Sequence, residues 1–117
     1  EKGILMNIQI YGMAKSFDTK KAERYFKERR IPYQMIDLAR YGLSPREFET
    51  VRAAVGLDAM INKKARDYDA SYLAYLADEA AIIDKLFENP SLYQAPFVRN
   101  GRAVTVGYCP EVWKTWE

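Results

Sequence analysis

Ser16 is the residue with the most chemical promise. It lies in Ile10-Tyr11-Gly12-Met13-Ala14-Lys15-Ser16-Phe17-Asp18-Thr19-Lys20-Lys21-Ala22, where an alternating apolar strand passes through a short glycine-containing turn into a charged helix start. The first N–H groups of a helix lack internal partners and the macrodipole is positive there, so an anion or a thiolate is stabilised. A cysteine at such a turn is activated, because the thiolate is the nucleophile and the helix end lowers its pKa. A serine gains far less, since its hydroxyl starts many units higher and needs a base. The chain holds no histidine to act as one. The plain role for Ser16 is to accept a backbone N–H at the helix start. Lys15, Lys20 and Lys21 crowd the same turn and could attract a carboxylate or phosphate. Lysines on a helix are ordinarily solvated, however, and cations at its N-terminus are mildly unfavourable. Cys109, the single cysteine, precedes Pro110 at the start of an expected last helix, either as a small apolar packing residue or as a reactive thiol.

One cysteine and no histidine exclude an internal disulfide, the usual zinc sets, and every Ser-His or Cys-His catalytic pair. No metal and no bound cofactor are expected. The 117 residues fit one domain, 1–117, with a modest core. Eighteen basic against 16 acidic residues leave a formal charge of +2, too balanced for a dedicated nucleic-acid binder. Apolar runs are too short to span a bilayer, so a soluble, cytoplasmic monomer is expected. Residues 1–5 precede Met6, which reads as a native start, and are left out of the fold reasoning.

Alternation of Ile8 and Ile10 with Asn7 and Gln9 predicts a first strand, with Met6 at its edge. Asp18 is read as the N-cap of a helix over 19–30, with Ala22, Tyr25, Phe26 and Arg29 as its buried stripe. Pro32 ends it, and 33–38 reads as a second, parallel strand. Ser44-Pro45-Arg46-Glu47 is a capping box opening a helix over 45–55 that stops at Gly56, with Phe48, Val51 and Val55 inward. Further helical stretches are expected over 71–76 and 79–87, the latter capped by Asp78 and ended by Asn89-Pro90. Asn100-Gly101 predicts a two-residue type I′ hairpin between strands at 97–99 and 102–106. Pro110 then opens a helix to residue 116. Trp113, Trp116, Tyr108 and Tyr93 either dock on the sheet or form a partner surface. The basic turn 63–66 reads as a solvated loop. The order β-α-β, helical block, β-β-α describes a four-stranded mixed sheet, the helical block making a second parallel crossover. It fits a thioredoxin-like core with a helical insertion at about 44–89, while order alone leaves ferredoxin-like arrangements open.

Four stretches resemble the arsenate reductase (ArsC) and Spx family: 10–22, 57–68 with Asn62-Lys63-Lys64, 93–98 with Ala95-Pro96, and 107–112. The likeness is greatest to the single-cysteine, YffB-like branch, whose turn reads Ile-Tyr-Gly-x-x-x-Cys-x-x-x-Lys-Lys-Ala. Gly12, Lys20, Lys21 and Ala22 match, and Ser16 takes the cysteine position. The resemblance implies a bacterial α/β protein of thioredoxin-like, glutaredoxin-like fold. It also implies a lineage of oxidoreductases working through a mixed disulfide with glutathione, as co-substrate, or with a protein thiol. It implies that Pro96 is cis beside the site and that the Cys109 turn faces the nucleophile. The family's oxyanion-holding arginines correspond to Asn62, Ala95 and Cys109. With those arginines and the nucleophile absent, redox silence at position 16 is expected, with Ser16, Lys15, Lys20, Asn62, Ala95, Pro96 and Cys109 as the site. The alternative is an Spx-like regulatory module contacting the RNA polymerase alpha subunit, without direct nucleic-acid or membrane binding.

Overall fold

A computed structural model describes residues 7–65, 68 and 78–116; the expected helix over 71–76, residues 1–6 and Arg66 of the basic turn lie outside them. Strand β1 (Ile8–Gly12) leads into helix α1 (Phe17–Glu28) and then strand β2 (Tyr33–Asp37). Next come a short helix α2 (Leu38–Tyr41), helix α3 (Pro45–Val55), a 3-10 turn (Asp58–Met60) and helix α4 (Glu79–Glu88). Strands β3 (Phe97–Asn100) and β4 (Ala103–Val106) precede the closing helix α5 (Pro110–Trp113), which a 3-10 turn (Lys114–Trp116) extends. No described helix is long and apolar enough to cross a membrane.

The sheet is four-stranded and mixed, in the order β2-β1-β3-β4. β1 runs parallel to β2, with Ile8 opposite Tyr33 and Gly12 opposite Asp37, as a βαβ unit requires. β3 is antiparallel to β1, Tyr11 facing Phe97, so the expectation of a second parallel crossover is corrected. The helical block delivers the chain to the end of the sheet where β1 finishes. The strand that starts there must run backwards.

Strand alternation sends successive side chains to opposite faces and builds two cores. Ile8, Ile10 and Val98 pack with Ala22, Tyr25, Phe26 and Trp113 under α1. Tyr11 and Phe97 point the other way, among Leu38, Phe48, Val51, Met60, Leu86 and Tyr93. Trp113 is fully buried, its ring 5.1 Å from Tyr25 and Phe26, and its Nε1 donates to Thr105 Oγ1 at 2.8 Å. The C-terminal aromatics divide: Trp113 and Tyr93 are buried, whereas Tyr108 is 44% exposed. Tyr11 ties the sheet to α3, donating to Glu47 Oε2 at 2.9 Å and accepting from Arg99 Nη1 at 3.3 Å.

The α3 capping box forms as expected, Ser44 Oγ accepting from Glu47 N and Glu47 Oε1 from Ser44 N. Arg52 of α3 pairs with Glu79 at the start of α4, where Asp78 is the cap. Helix α1 differs from expectation at both ends. Its cap is Ser16, two residues before Asp18, and it stops at Glu28. There Arg30 turns left-handed (φ 57°) and Ile31 N reaches back to Phe26 O at 2.9 Å, the Schellman closure. Arg29 is exposed rather than part of the buried stripe. Its guanidinium lies 3.8 Å from the Tyr25 ring centroid, the charge staying wet while the stem packs. Thr19 takes the buried place. The hairpin also shifts by one residue: Asn100 pairs with Ala103, leaving Gly101 and Arg102 as the loop. Gly101 has φ +65° and Arg102 does not share it, the II′ pattern with glycine first rather than I′.

Candidate functional site

The turn between β1 and α1 is locked by Thr19. Its Oγ1 accepts from Met13 N at 3.2 Å while its own N–H donates to Ser16 Oγ at 3.2 Å. Ser16 N donates to Met13 O at 3.0 Å and Ser16 O accepts the first helical bond, from Lys20 N. Gly12 is required by this closeness, since a Cβ there would sit 2.3 Å from Thr19 Cγ2. Ser16 is therefore fixed at the N-terminus of a twelve-residue helix, half-buried, with its hydroxyl oxygen committed to one cap hydrogen bond.

Facing this turn is a second wall made from distant sequence. Gln94 N donates to Met60 O and Asn62 N to Leu92 O, both at 2.8 Å, around an antiparallel bridge between Ile61 and Tyr93. The chain then passes through a cis Ala95–Pro96 bond into β3, and Pro96 O accepts from Gly107 N at 2.9 Å. The two walls enclose a cavity of about 400 Å³. Lys15, Ser16, Asn62 and Ala95 line it together, with Asp18 and Gln94 adding polar groups. Asn62 Oδ1 accepts from Lys64 N at 3.0 Å, which leaves its amide N–H groups to donate. Among the described lining residues Lys15 is the one cation and Asp18 the one carboxylate.

Pro96 follows the lining residue Ala95 without itself lining the cavity, and two further expected site residues, Lys20 and Cys109, lie elsewhere. Lys20 is on the exposed side of α1 with its ammonium 5.8 Å from the Phe17 ring centroid. Cys109 is half-buried against the core under α1, outside the cavity lining, and its thiol donates to Val106 O at 3.2 Å. Burial pushes that thiol above its ordinary value, and the carboxylates of Asp18 and Glu111 act the same way against a hydrogen bond with Thr105. The reading of Cys109 as a low-pKa thiol beside Ser16 is corrected accordingly. It caps a helix of only four residues and makes no side-chain cap bond, so little dipole is available to lower its pKa.

Thr19, Gln94 and Tyr93 were not singled out for the site by sequence reasoning. The spacing Ser16-x-x-Thr19, an N-cap with a hydroxyl three residues on, was the available signal for Thr19. Gln94 adjoins Ala95-Pro96. Tyr93 reads from the sequence only as a docking or partner-surface aromatic within 93–98; it lines the cavity yet is 1% exposed, and among the described residues its hydroxyl has no hydrogen-bond partner. Desolvation by burial raises its pKa strongly.

A model of the family described as "ArsC family" matches residues 11–116. Among solved structures, an arsenate reductase from Vibrio cholerae is similar at TM-score 0.84 and 21% identity, over 97% of this chain and 100% of that one. A protein described as YFFB is similar at TM-score 0.81 and 21% identity, over 93% and 97%. An arsenate reductase (ArsC) related protein from Brucella melitensis gives 0.66 and 18%, over 98% and 96%. No curated protein matches.

Proposed function

The chain belongs to the ArsC family, and on that premise we propose that its cavity binds a thiol compound, glutathione or the cysteine of a partner protein, without redox turnover at position 16. The observation that carries the reading is the state of Ser16 Oγ: it lies at the mouth of the cavity, at a helix N-terminus, engaged as the acceptor for Thr19 N. A thiolate there would draw on the helix dipole and the charge of Lys15. A hydroxyl remains protonated, and with no histidine in the chain no strong base is at hand to activate it. Binding asks for less. Lys15 would attract a carboxylate, Asn62 would donate from its amide, and Ala95, before the cis bond, lines the same cavity.

The test pairs the native chain with Ser16→Cys. Reduced glutathione titrated into the native chain should shift the amide resonances of Lys15, Ser16, Asn62 and Ala95 and leave the protein's mass unchanged. With oxidised glutathione, the thiolate introduced by Ser16→Cys should attack one sulfur, form one mixed disulfide and release one glutathione thiolate. Dithiothreitol should reverse this, and Cys109 should stay unmodified. Catalytic disulfide reduction by the native chain, or a Ser16→Cys variant left unmodified in native conditions, would overturn the reading.

A further inference from the structure

The exposed side of α1 carries Lys20, Lys21, Arg24 and Lys27 against a single carboxylate, Glu28. Among the described residues these four cations make no ion pair with an acid. Two aromatic rings lie among them. Phe17 is 78% exposed at the end nearest the cavity, beneath the Lys20 ammonium. Tyr108, on the turn before α5, lies 5.7 Å from Lys21 Nζ. Lys21, Arg24 and Tyr108 also border a groove of about 390 Å³ between α1 and that turn. An exposed phenylalanine beside unpaired cations contributes little to folding, because the buried stripe of Thr19, Ala22, Tyr25 and Phe26 already seats the helix.

We propose that this strip, about 18 Å of helix, is a docking surface for an acidic protein segment that also carries an apolar side chain. The carboxylates of the partner would meet Lys20, Lys21, Arg24 and Lys27, and its apolar residue would cover Phe17. Charge complementarity selects the occupant. Nucleic-acid binders typically neutralise about 6–10 phosphates, whereas this strip offers four cations with Glu28 set among them. A membrane-surface helix needs an apolar face several residues wide, and Phe17 is alone on this one. None of the four cations lines the cavity, and the strip meets it only at Phe17, which borders both.

The test is a fluorescein-labelled peptide rich in Glu and Asp with spaced leucines, titrated into the whole chain at two ionic strengths. Saturable binding that weakens with salt is expected, with amide shifts centred on Phe17, Lys21, Arg24 and Tyr108. The double variant Lys21→Glu/Arg24→Glu should weaken it by about tenfold or more while melting like the native chain. No saturable binding, shifts centred elsewhere, or affinity unchanged in a folded double variant would overturn the proposal. So would tighter binding to duplex DNA or to phosphatidylserine vesicles than to the acidic peptide.

Discussion

Replacing Tyr93 by Phe should stabilise the protein. The Tyr93 ring packs edge-on against Phe97 with centroids 5.8 Å apart, and phenylalanine keeps that contact. What it removes is a buried hydroxyl with no partner among the described residues, which costs about 1–3 kcal/mol in lost hydration. The void left by one oxygen, about 15 Å³, returns about 0.4 kcal/mol of that at about 24 cal/mol per Å³. A net gain of about 0.6–2.6 kcal/mol follows, or about 2–10 °C in melting temperature for a chain of this size. Urea unfolding at neutral pH measures it, the midpoint rising with no change in slope. A second measurement isolates the hydroxyl. Burial raises its folded-state pKa above the ordinary 10.0, so its contribution to stability is complete below pH 10 and is lost as pH rises, the unfolded chain releasing the proton first. The gap between variant and native chain should therefore widen above pH 10, by up to about 1.4 kcal/mol per pH unit. Tyr11 and Tyr33, also raised by burial, are common to both and cancel. A variant destabilised by about 1 kcal/mol or more, with a constant gap across pH 9–11, would refute the reasoning.

Gly12→Ala should destabilise by about 1–3 kcal/mol, because the added methyl meets Thr19 2.3 Å away; chemical denaturation reads the loss. The same variant should shift the amide resonances of Met13 and Ser16. Arg30→Gly should raise the midpoint slightly: it relieves a left-handed conformation costing about 1–2 kcal/mol and gives back about 0.5–1 kcal/mol of glycine entropy. Burial pushes the Glu47 carboxyl up, but hydrogen bonds from Ser44 and Tyr11 and the charge of Arg99 outweigh it, leaving its pKa below the ordinary 4.5. Its stabilisation is therefore present above about that pH and is lost as pH falls further. Glu47→Gln should flatten the acid limb of a stability-against-pH curve, which circular dichroism at graded pH records.

Local chemistry made much of this protein readable in the sequence. The capping box at Ser44 and the caps at Asp78 and Asn89 depend on a few adjacent residues, as does the alternation of Ile8 and Ile10, and each formed where expected. Errors arose where two local signals competed or where distant contacts chose between them. Asp18 and Ser16 are both good caps, and the bond from Met13 N to Thr19 Oγ1 settles the helix start in favour of Ser16. The direction of β3 could not be read from element order, because it depends on where the long helical segment leaves the chain. Of the site, Lys15, Ser16, Asn62 and Ala95 converge on one cavity, while Lys20 points outward because its place on the helical wheel is opposite Thr19 and Ala22. The docking of the Tyr93 ring is legible as an aromatic near the sheet, but nothing in its neighbours says that its hydroxyl has no partner among the described residues.

The two hydrogen bonds that join residues 60–62 to residues 92–94 have a further meaning. One flank of the cavity is a small ladder of its own, joined to the sheet by the run into β3 and by the packing of Met60 and Tyr93 against Tyr11 and Phe97, while the other flank is part of the α1 unit. The cavity lining comes from both flanks, so the cavity exists only where the two meet. A molecule lodged between them would slow amide exchange in both, making solvent protection at Asn62 and Gln94 a gauge of occupancy.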